Sequence, residues 1–308
     1  MNESRRTVLI TGCSTGIGRA SALLLAESGF RVLAGVRCAE HVDGLATPSL
    51  PHLEPLQLDV TNEDHVQRAV DYGQQTCPQG LYGLVNNAGM ALPAAVELST
   101  IDEVRQLLEV NTIGPLRLIQ SCLPLLRAGR GRVLNMSSMN GTVALPMVGA
   151  YSASKFALEA LSDTLRVELR PWRIPVIIIR PGQVRTSIFA KAREHLNASS
   201  RHIPPELKNG YDRMYVRAGQ FNERGAKSST SPEKVARVIK RALEAKRPRT
   251  HYLVGFDAHG MQLAKSLVHR RILDRAFARA MRVFQPVKQP RPASPVQLVD
   301  PTAASQQS

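Results

Sequence analysis

The sequence predicts an α/β fold in which one doubly wound parallel sheet is covered by helices on both faces. Short runs rich in Val, Ile and Leu alternate with stretches of amphipathic helical periodicity, a pattern typical of parallel sheets. Residues with reactive or ligand-binding side chains follow directly after these runs, and the carboxyl ends of parallel strands lie at one edge of a sheet. We therefore predict a single domain over residues 5–255, with its functional site at that edge.

The predicted strands are short, apolar and rich in β-branched residues. Because several of them are apolar at nearly every position, they are expected to be buried on both faces rather than on one. The runs that meet this description are 7–11, 30–36, 56–60, 81–86, 132–137, 174–180 and 251–254.

The predicted helices are recognised by periodicity and by the residues at their ends. A glycine-rich turn at 12–18 precedes the first helix, and Gly29 stops it. Residues 61–64 resemble an N-cap followed by an acidic first turn. The remaining helices are two segments that start at about Ser99 and about Asn111 and reach Leu126, one that opens at Tyr151, and one that begins with the N-cap Ser231 and Pro232.

Three segments lie outside this alternation. Residues 183–229 contain the proline pair Pro204-Pro205 and many charges, and we interpret them as a partly helical insertion that covers the site. Residues 256–284 are predicted to form a basic amphipathic helical extension. Residues 285–308 contain five prolines and are expected to be disordered.

The extension has a helical pattern over residues 264–284. Its apolar side is predicted to comprise Val268, Ile272, Ala276, Ala280 and Phe284, beside a stripe of Arg271, Arg275, Arg279 and Arg282. A basic amphipathic helix can lie in a membrane interface, cover a substrate pocket or pack against a partner subunit. The pattern leaves these three roles open.

Composition limits the class of protein. Of the 308 residues, 43% are hydrophobic and 21% are charged, as in ordinary globular proteins, and no run of eighteen apolar residues indicates a membrane span. Four cysteines without a C-x-x-C pair indicate free thiols in a reducing compartment rather than a disulfide framework or a metal site. We therefore expect a cytoplasmic protein, with membrane association left open.

The net charge of +15 is the unusual value in the composition. It indicates either a solvated basic face, an attraction to an anionic membrane surface, or nucleic-acid binding. Aromatic residues are only 5% of the chain and do not alternate with the basic ones, and no nucleic-acid reading module is present. Nucleic acid is therefore not expected as a partner.

The turn after the first strand resembles a dinucleotide site. Thr11-Gly12-x-x-x-Gly16-Ile17-Gly18 lies between a strand and a helix, where glycines allow a pyrophosphate to approach the helix N-terminus. The second strand ends at Arg37 with no acidic residue, which favours a ribose 2′-phosphate and therefore NADP(H) over NAD(H). Ser14 can add a hydroxyl to the same phosphate, and Asp59 either binds adenine or caps the next helix.

Tyr151 and Lys155 are four residues apart on a predicted helix and therefore share a face. A positive charge roughly 4 Å from a phenol is worth roughly 3 pKa units at an effective dielectric near 20, so the tyrosine is expected to exchange protons near neutral pH. Ser138 follows a predicted strand, and its hydroxyl is placed to hold a substrate oxygen. Such a pair is weak evidence alone, and gains weight from the cofactor turn upstream.

Taken together, these motifs resemble the short-chain dehydrogenase/reductase family over roughly residues 5–255. The matching positions are Thr-Gly-x-x-x-Gly-Ile-Gly at 11–18, Leu-Asp-Val at 58–60, Asn-Asn-Ala-Gly at 86–89, Asn111, Ser138, Tyr151-x-x-x-Lys155, and Pro181-Gly182 with Thr186. Within the family, the chain is most similar to the branch of 17-beta-hydroxysteroid and retinol dehydrogenases. The resemblance implies a Rossmann fold and a homodimer or homotetramer.

The resemblance also implies roles for residues at matching positions. Tyr151 would exchange a proton with the substrate oxygen, Lys155 would lower the tyrosine pKa and bind the nicotinamide ribose, Ser138 would position the substrate, and Asn111 would hold a water that links Lys155 to solvent; otherwise Asn111 serves a helix bend. The predicted cofactor contacts are Gly12, Ser14, Gly16, Ile17, Gly18, Arg37, Asp59, Val60, Asn86, Ala88, Gly89, Tyr151, Lys155, Pro181, Gly182, Val184 and Thr186.

The function implied is an NADP(H)-dependent oxidoreductase that interconverts a secondary alcohol and a ketone. The pocket walls are predicted to be Met90, Leu92, Pro93, Val143, Leu145, Met147, Val148 and Ile188. These side chains are apolar, which favours a lipophilic substrate of the steroid or retinoid kind. The alternatives are a dehydrogenase for a small polar hydroxy compound and a non-catalytic NADP(H)-binding regulator or scaffold.

Overall fold

The computed structural model describes residues 6–281, apart from the side chains of residues 226–228. Within this part of the chain, one seven-stranded sheet has every strand parallel to its neighbours, which confirms the predicted fold class. The strands are β1 (Thr7–Ile10), β2 (Arg31–Val36), β3 (Leu53–Gln57), β4 (Gly83–Asn86), β5 (Arg132–Met136), β6 (Val176–Pro181) and β7 (His251–Val254).

Helices cover both faces of this sheet. α1 packs against α9 on one face, and α3 packs against α5 on the other. The helices of the described residues are α1 (Gly16–Glu27), α2 (Glu40–Asp43), α3 (Glu63–Thr76), α4 (Ile101–Leu108), α5 (Gly114–Ala128), α6 (Gly149–Glu168), α7 (Ile188–Arg201), α8 (Pro205–Ser228), α9 (Pro232–Glu244), α10 (Phe256–Leu267) and α11 (Arg270–Met281).

The central strand β1 shows why the strands read as continuous apolar runs. Val8 and Ile10 face the cluster formed with α1 and α9, whereas Leu9 faces the cluster formed with α3 and α5. Successive side chains of a strand point to opposite faces, so a strand between two helical layers needs an apolar residue at every position. All three residues are at most 1% exposed.

The strand order β3-β2-β1-β4-β5-β6-β7 reverses its direction of growth at β1. The connections after β1 and after β4 therefore leave the sheet on opposite sides, and a crevice opens at the carboxyl ends of these two strands. Thr11 connects them, because its Oγ1 accepts hydrogen bonds from the backbone N–H groups of Asn87 (3.0 Å) and Ala88 (2.9 Å). The functional edge predicted from the sequence is thus a single crevice.

The caps of two helices agree with the sequence. Ser231 is the N-cap of α9, its hydroxyl accepts from the backbone N–H of Lys234, and Pro232 occupies the first helical position. Asn62 caps α3 and accepts from the backbone N–H of His65. Side-chain caps of this kind satisfy N–H groups that have no partner within the helix.

Some predicted boundaries were wrong. The third strand covers Leu53–Gln57 rather than 56–60. The backbone N–H of Leu58 makes the last hydrogen bond to β2, and the chain then turns at Asp59, whose carboxylate accepts from the backbone N–H of Thr61. α1 begins within the glycine turn, and α6 begins two residues before Tyr151. The two helical segments before Leu126 are joined by a π-helical turn, Glu109–Ile113.

The predicted insertion contains the helices α7 and α8. A third apolar cluster joins them to the rest of the protein, and it includes Leu196, Tyr215 and Met281. Because Met281 belongs to α11, the extension packs on the insertion rather than standing apart from it.

The extension forms two helices instead of the one predicted over 264–284. The helix breaks at Val268 and His269, so the periodicity that begins before the break does not continue through it. The packed side of α11 consequently carries Leu273, Phe277 and Met281, while Ile272 is 56% exposed. Phe284, Arg282 and the predicted tail 285–308 lie outside the described residues.

Two findings concern the class of protein. In the part of the chain that the structure describes, no helix combines the length and the apolar character needed to cross a bilayer. The four cysteines are all free thiols, as predicted, and Cys13, Cys77 and Cys122 are buried.

Candidate active site

The glycine turn leaves its backbone open to the crevice. Gly12 has φ +69°, a left-handed conformation that favours glycine, and a Cβ at Gly18 would overlap the Gly12 carbonyl oxygen. The Asn87 amide nitrogen donates to the carbonyl oxygens of Thr11 (2.8 Å) and Gly12 (3.2 Å) and holds the turn in place. A turn whose glycines leave the backbone accessible at the N-terminus of α1 fits the pyrophosphate of a dinucleotide.

Arg37 follows β2 directly and is exposed. No hydrogen bond or ion pair engages its guanidinium group among the described residues, so the charge is available to an anion. Ser14 is half-buried in the glycine turn, as expected for a residue at the same end of the crevice. The donor set fits a ribose phosphate, which guanidinium groups bind well.

Three predicted cofactor residues already have partners within the protein. One oxygen of Asp59 accepts from the backbone N–H and the hydroxyl of Thr61, and the Val60 carbonyl oxygen accepts from Arg117. Asn86 is 2% exposed, and its amide nitrogen donates to Asn135. A cofactor contact by Asp59, Val60 or Asn86 stays a prediction.

A cavity of about 650 Å³ lies beside the crevice and brings together most of the predicted reactive residues. Predicted pocket walls also line it, with the exceptions of Leu92 and Val143. The predicted site residues on its surface are Ile17, Gly89, Ser138, Tyr151, Lys155, Pro181, Gly182, Val184 and Thr186, and the predicted walls are Met90, Pro93, Leu145, Met147, Val148 and Ile188.

Ser138 lies immediately after the residue that follows β5, where the chain enters a 3-10 turn over Met139–Gly141. Its backbone is extended, and its Oγ accepts a hydrogen bond of 3.1 Å from the Asn140 backbone N–H. Because that bond uses a lone pair and not the hydroxyl proton, Ser138 remains able to donate to an oxygen in the cavity.

Tyr151 and Lys155 lie in the first turns of α6 and face the same cavity. The Lys155 Nζ donates to the Met136 carbonyl oxygen at 2.9 Å and lies 6.0 Å from the centre of the Tyr151 ring. The helical spacing therefore brings the two side chains to one place, as predicted, although the ammonium group is bonded to β5 rather than to the phenol.

Burial controls the ionisation of both groups. Loss of water raises the pKa of Tyr151, and the hydroxyl of Ser138 opposes that shift only in part. The expected lowering of the phenol pKa by Lys155 does not prevail in this geometry, because Lys155 donates to the Met136 carbonyl oxygen and the loss of water is the larger effect. Tyr151 is consequently a neutral proton donor at neutral pH.

Lys155 responds to the same burial in the opposite sense. Its pKa is lowered to about 8, because desolvation disfavours the ammonium form, while the nearby carboxylate of Glu159 favours it. A lysine with this pKa keeps its positive charge at neutral pH and loses it in mildly alkaline solution.

Glu159 and Arg180 form a buried pair that the sequence analysis missed. The Arg180 Nε and Nη2 donate to the two carboxylate oxygens of Glu159 at 2.8 and 2.7 Å. Glu159 lies one turn after Lys155 on α6, and Arg180 precedes Pro181 and Gly182 at the end of β6. The pair therefore fixes α6 to a cavity-lining turn.

Asn111 belongs to the π-helical turn and is fully buried. Its amide nitrogen donates to the Met90 carbonyl oxygen and to Ser154, both at 3.0 Å, and its oxygen accepts from the Met90 backbone N–H at 2.9 Å. These bonds stabilise the helix bend, which was the second role considered. The water relay to Lys155 stays a prediction.

Comparison with known proteins shows the family to which this site belongs. A family model for short chain dehydrogenases matches residues 6–197. The chain belongs to the short-chain dehydrogenase/reductase family. It is accordingly an oxidoreductase that acts on CH–OH groups.

Relatives of this short-chain dehydrogenase act on different molecules. It is 36% identical to the 3-amino-tetrahydro-pyrrolizinone reductase of Xenorhabdus hominickii, with 83% of this chain and 88% of that protein covered. It is 35% identical to mouse retinol dehydrogenase 5, with 87% and 86% covered, which confirms the branch that it resembles. A short chain dehydrogenase of Burkholderia cenocepacia, solved with NADP, has a TM-score of 0.67 and 26% identity over 93% of this chain and all of that one.

The C-terminal extension of this short-chain dehydrogenase, which lies beyond the residues that the family model matches, lines part of the cavity. Met261 of α10 and Phe277, Ala280 and Met281 of α11 line the cavity. The carboxylate of Asp257 accepts a bond of 2.6 Å from the Gln183 backbone N–H, next to Gly182. Of the three roles considered for the extension, the structure therefore favours the cover of a substrate pocket.

Proposed function

We propose that this short-chain dehydrogenase/reductase uses NADP(H) to interconvert a lipophilic secondary alcohol and its ketone. The observation that carries the proposal is the cavity itself, because Ser138, Tyr151 and Lys155 meet at one end of a space whose other walls are mostly apolar. Pockets for lipophilic ligands have this composition, with a few polar groups that fix orientation.

The choice of NADP(H) rests on Arg37. Its free guanidinium group at the end of β2 can pair with a 2′-phosphate, and no acidic residue is present there to bind the two ribose hydroxyls of NAD(H). The glycine turn would hold the pyrophosphate. Pro181, Gly182, Val184 and Thr186 would hold the nicotinamide end, where they line the cavity.

Three side chains would carry out the proton transfer. The bound cofactor supplies or accepts the hydride. In the direction of reduction, Ser138 donates a hydrogen bond to the substrate carbonyl oxygen, and Tyr151 donates its phenolic proton to that oxygen. Lys155, charged at neutral pH, stabilises the phenolate that forms and would bind the nicotinamide ribose.

A substrate panel tests this proposal. Wild-type enzyme with NADPH is expected to reduce steroid and retinoid-like ketones or aldehydes faster than small polar ketones, with the loss of NADPH absorbance as the measurement. Turnover of small polar ketones but not of lipophilic ones would instead establish the second candidate, a dehydrogenase for a small polar hydroxy compound. NADPH binding without turnover of any carbonyl compound would establish the regulator or scaffold.

We also propose that the enzyme assembles as a homodimer or homotetramer through its central helices. Large apolar side chains of α4 and α6 are exposed in a single chain, including Ile101 (65%), Phe156 (41%) and Val167 (65%). Exposed apolar groups on neighbouring helices are common at subunit interfaces. Sedimentation analysis of wild type and of Phe156→Glu tests this assembly, and a monomeric wild type would refute it.

For its location we propose the cytoplasm, with peripheral contact to membranes through the extension. Leu263 and Leu267 of α10 are 59% and 76% exposed, and Arg270, Arg271 and Arg275 lie nearby in sequence. Apolar groups beside basic ones suit an anionic membrane surface. Flotation with anionic liposomes is expected for wild type and not for Leu263→Glu/Leu267→Glu, and equal flotation of both proteins would exclude this contact.

A further inference from the structure

The turn that follows β6 lies where the pairing between β6 and β7 ends. The backbone N–H of Gly182 still donates to the Val254 carbonyl oxygen of β7, at 2.8 Å. β7 stops at Val254 and α10 begins at Phe256, so no strand lies beside the next residue of the turn, Gln183. Backbone N–H groups are strong donors that need an acceptor, and the Gln183 N–H has to find one outside the sheet.

Asp257, in the first turn of α10, supplies this acceptor. Its Oδ2 accepts a hydrogen bond of 2.6 Å from the Gln183 backbone N–H, and a carboxylate forms bonds of this kind that are shorter and stronger than those between neutral groups. The carboxylate also packs directly on the preceding residue, because a Cβ at Gly182 would overlap it. One side chain of the extension thus holds two consecutive residues of the turn.

The same helix also reaches the substrate side of the cavity. Asp257 and Met261 are four residues apart on α10 and share a face, and both line the cavity together with Gly182 and Gln183. The family model ends at residue 197, so α10 lies beyond the residues that it matches. The extension therefore contacts the end of the cavity at which the proposed function places the nicotinamide group.

We propose that Asp257 is a positioning residue that holds the turn of Pro181, Gly182 and Gln183 in the conformation that binds the nicotinamide half of the cofactor. The inference rests on the proposed function and gives the extension a part in cofactor binding. β7 and β2 are separated in the sheet by β1, β4, β5 and β6, so the effect of Asp257 should not extend to the Arg37 end of the site. Loss of its carboxylate should weaken contacts to the nicotinamide half alone.

The test measures the dissociation constants of two ligands by titration calorimetry. One is NADPH, and the other is adenosine 2′,5′-bisphosphate, which carries the 2′-phosphate but no nicotinamide. NADPH is expected to bind Asp257→Ala roughly tenfold more weakly than wild type, the lower end for a hydrogen bond to a charged group, because Asp257 is exposed. The bisphosphate is expected to bind both proteins equally. Asp257→Asn keeps an acceptor oxygen without the charge, so its affinity for NADPH should lie between the two.

Asp274→Ala is the matched control, since it removes the same charge from α11 at a residue that does not line the cavity. It is expected to bind both ligands as wild type does. Thermal unfolding verifies that the variants are folded. If Asp257→Ala is not, Asp257→Asn replaces it, with a smaller expected loss of NADPH affinity and the same unchanged binding of the bisphosphate.

The outcomes separate this inference from the proposed function. Wild-type NADPH affinity in Asp257→Ala, or an equal loss of affinity for both ligands, overturns the role of Asp257, while turnover of lipophilic ketones by wild type upholds the proposed function. A loss of NADPH affinity in Asp274→Ala as large as in Asp257→Ala also overturns it, because net charge would then account for the effect. A wild-type protein that binds neither ligand overturns both proposals.

Discussion

The Nζ of Lys155 lies 6.0 Å from the centre of the Tyr151 ring, on the same face of α6, and donates its hydrogen bond to the Met136 carbonyl oxygen. The two side chains thus share a cavity and a loss of water without direct contact. Burial pushes the tyrosine toward its neutral form, and lowers the pKa of the lysine to about 8. At neutral pH this leaves a proton donor beside a positive charge.

The ionisation of Lys155 predicts the alkaline limit of activity. In the proposed mechanism its ammonium form stabilises developing negative charge on Tyr151, and that form is lost as pH rises through about 8. The value of kcat/KM for ketone reduction is therefore expected to decline above pH of about 8. In Lys155→Arg the guanidinium stays charged above pH ~12, so the decline should move to higher pH.

A pH–rate profile of both proteins checks this expectation. Rates limited by the chemical step, measured at saturating NADPH, give the clearest comparison. An identical alkaline decline in wild type and Lys155→Arg would show that another group sets the limit.

The buried pair of Glu159 and Arg180 predicts a large effect on stability. Glu159→Gln leaves the guanidinium group of Arg180 without its carboxylate, and removal of one partner of a buried pair costs about 3–5 kcal/mol of unfolding free energy. The double variant Glu159→Met/Arg180→Met is expected to lose less than Glu159→Gln, because the guanidinium group of Arg180 is not left without its carboxylate. Urea unfolding measures the free energy of unfolding of the single and the double variant. Equal losses of that free energy would contradict the pairing.

The same carboxylate also acts on Lys155. Since Glu159 favours the ammonium form of Lys155, its removal is expected to lower the lysine pKa further. The alkaline decline of Glu159→Gln should therefore begin at lower pH than in wild type. A pH–rate profile of folded Glu159→Gln tests this, and a decline at the wild-type position would separate Glu159 from catalysis.

This pair illustrates what the sequence could and could not predict. Motifs that lie within one turn or one helix, such as the glycine turn and the Tyr151–Lys155 spacing, are local and were placed correctly. Glu159 and Arg180 are 21 residues apart on different elements, and nothing in either segment indicates that they meet. The orientation of the Lys155 side chain could not be predicted either. Its ammonium group bonds to a carbonyl oxygen of β5, and the sequence of α6 does not indicate that contact.

The extension shows a second limit on what the sequence can predict. Its periodicity correctly indicated helix, but the predicted apolar side assumed one continuous helix through Val268 and His269. Because the helix breaks there, different residues of α11 face the cavity. Phe277 and Met281 line it, whereas Ile272 and Ala276 do not.

Arg37 predicts the cofactor preference. Arg37→Glu replaces a charge-assisted bond to a 2′-phosphate with repulsion, and a bond of this kind is worth about 1.5–3 kcal/mol, or roughly tenfold to more than a hundredfold in affinity. The ratio of kcat/KM with NADPH to that with NADH is expected to fall by at least this factor. Arg249→Glu, before β7 at the opposite edge of the sheet, is the matched control.

Two results would contradict this assignment. One is a wild-type enzyme that prefers NADH. The other is an equal change of the cofactor ratio in Arg37→Glu and Arg249→Glu, which would indicate a general effect of net charge rather than a local contact.

The most direct test of the account is the rate of ketone reduction by Tyr151→Phe with saturating NADPH. The substitution removes the hydroxyl that donates the proton and keeps the buried ring, so the fold and NADPH binding should persist. We predict a loss in kcat of about 10²–10⁴-fold, the range typical of general acid catalysis. A kcat equal to that of wild type would contradict the assignment of Tyr151 as the proton donor.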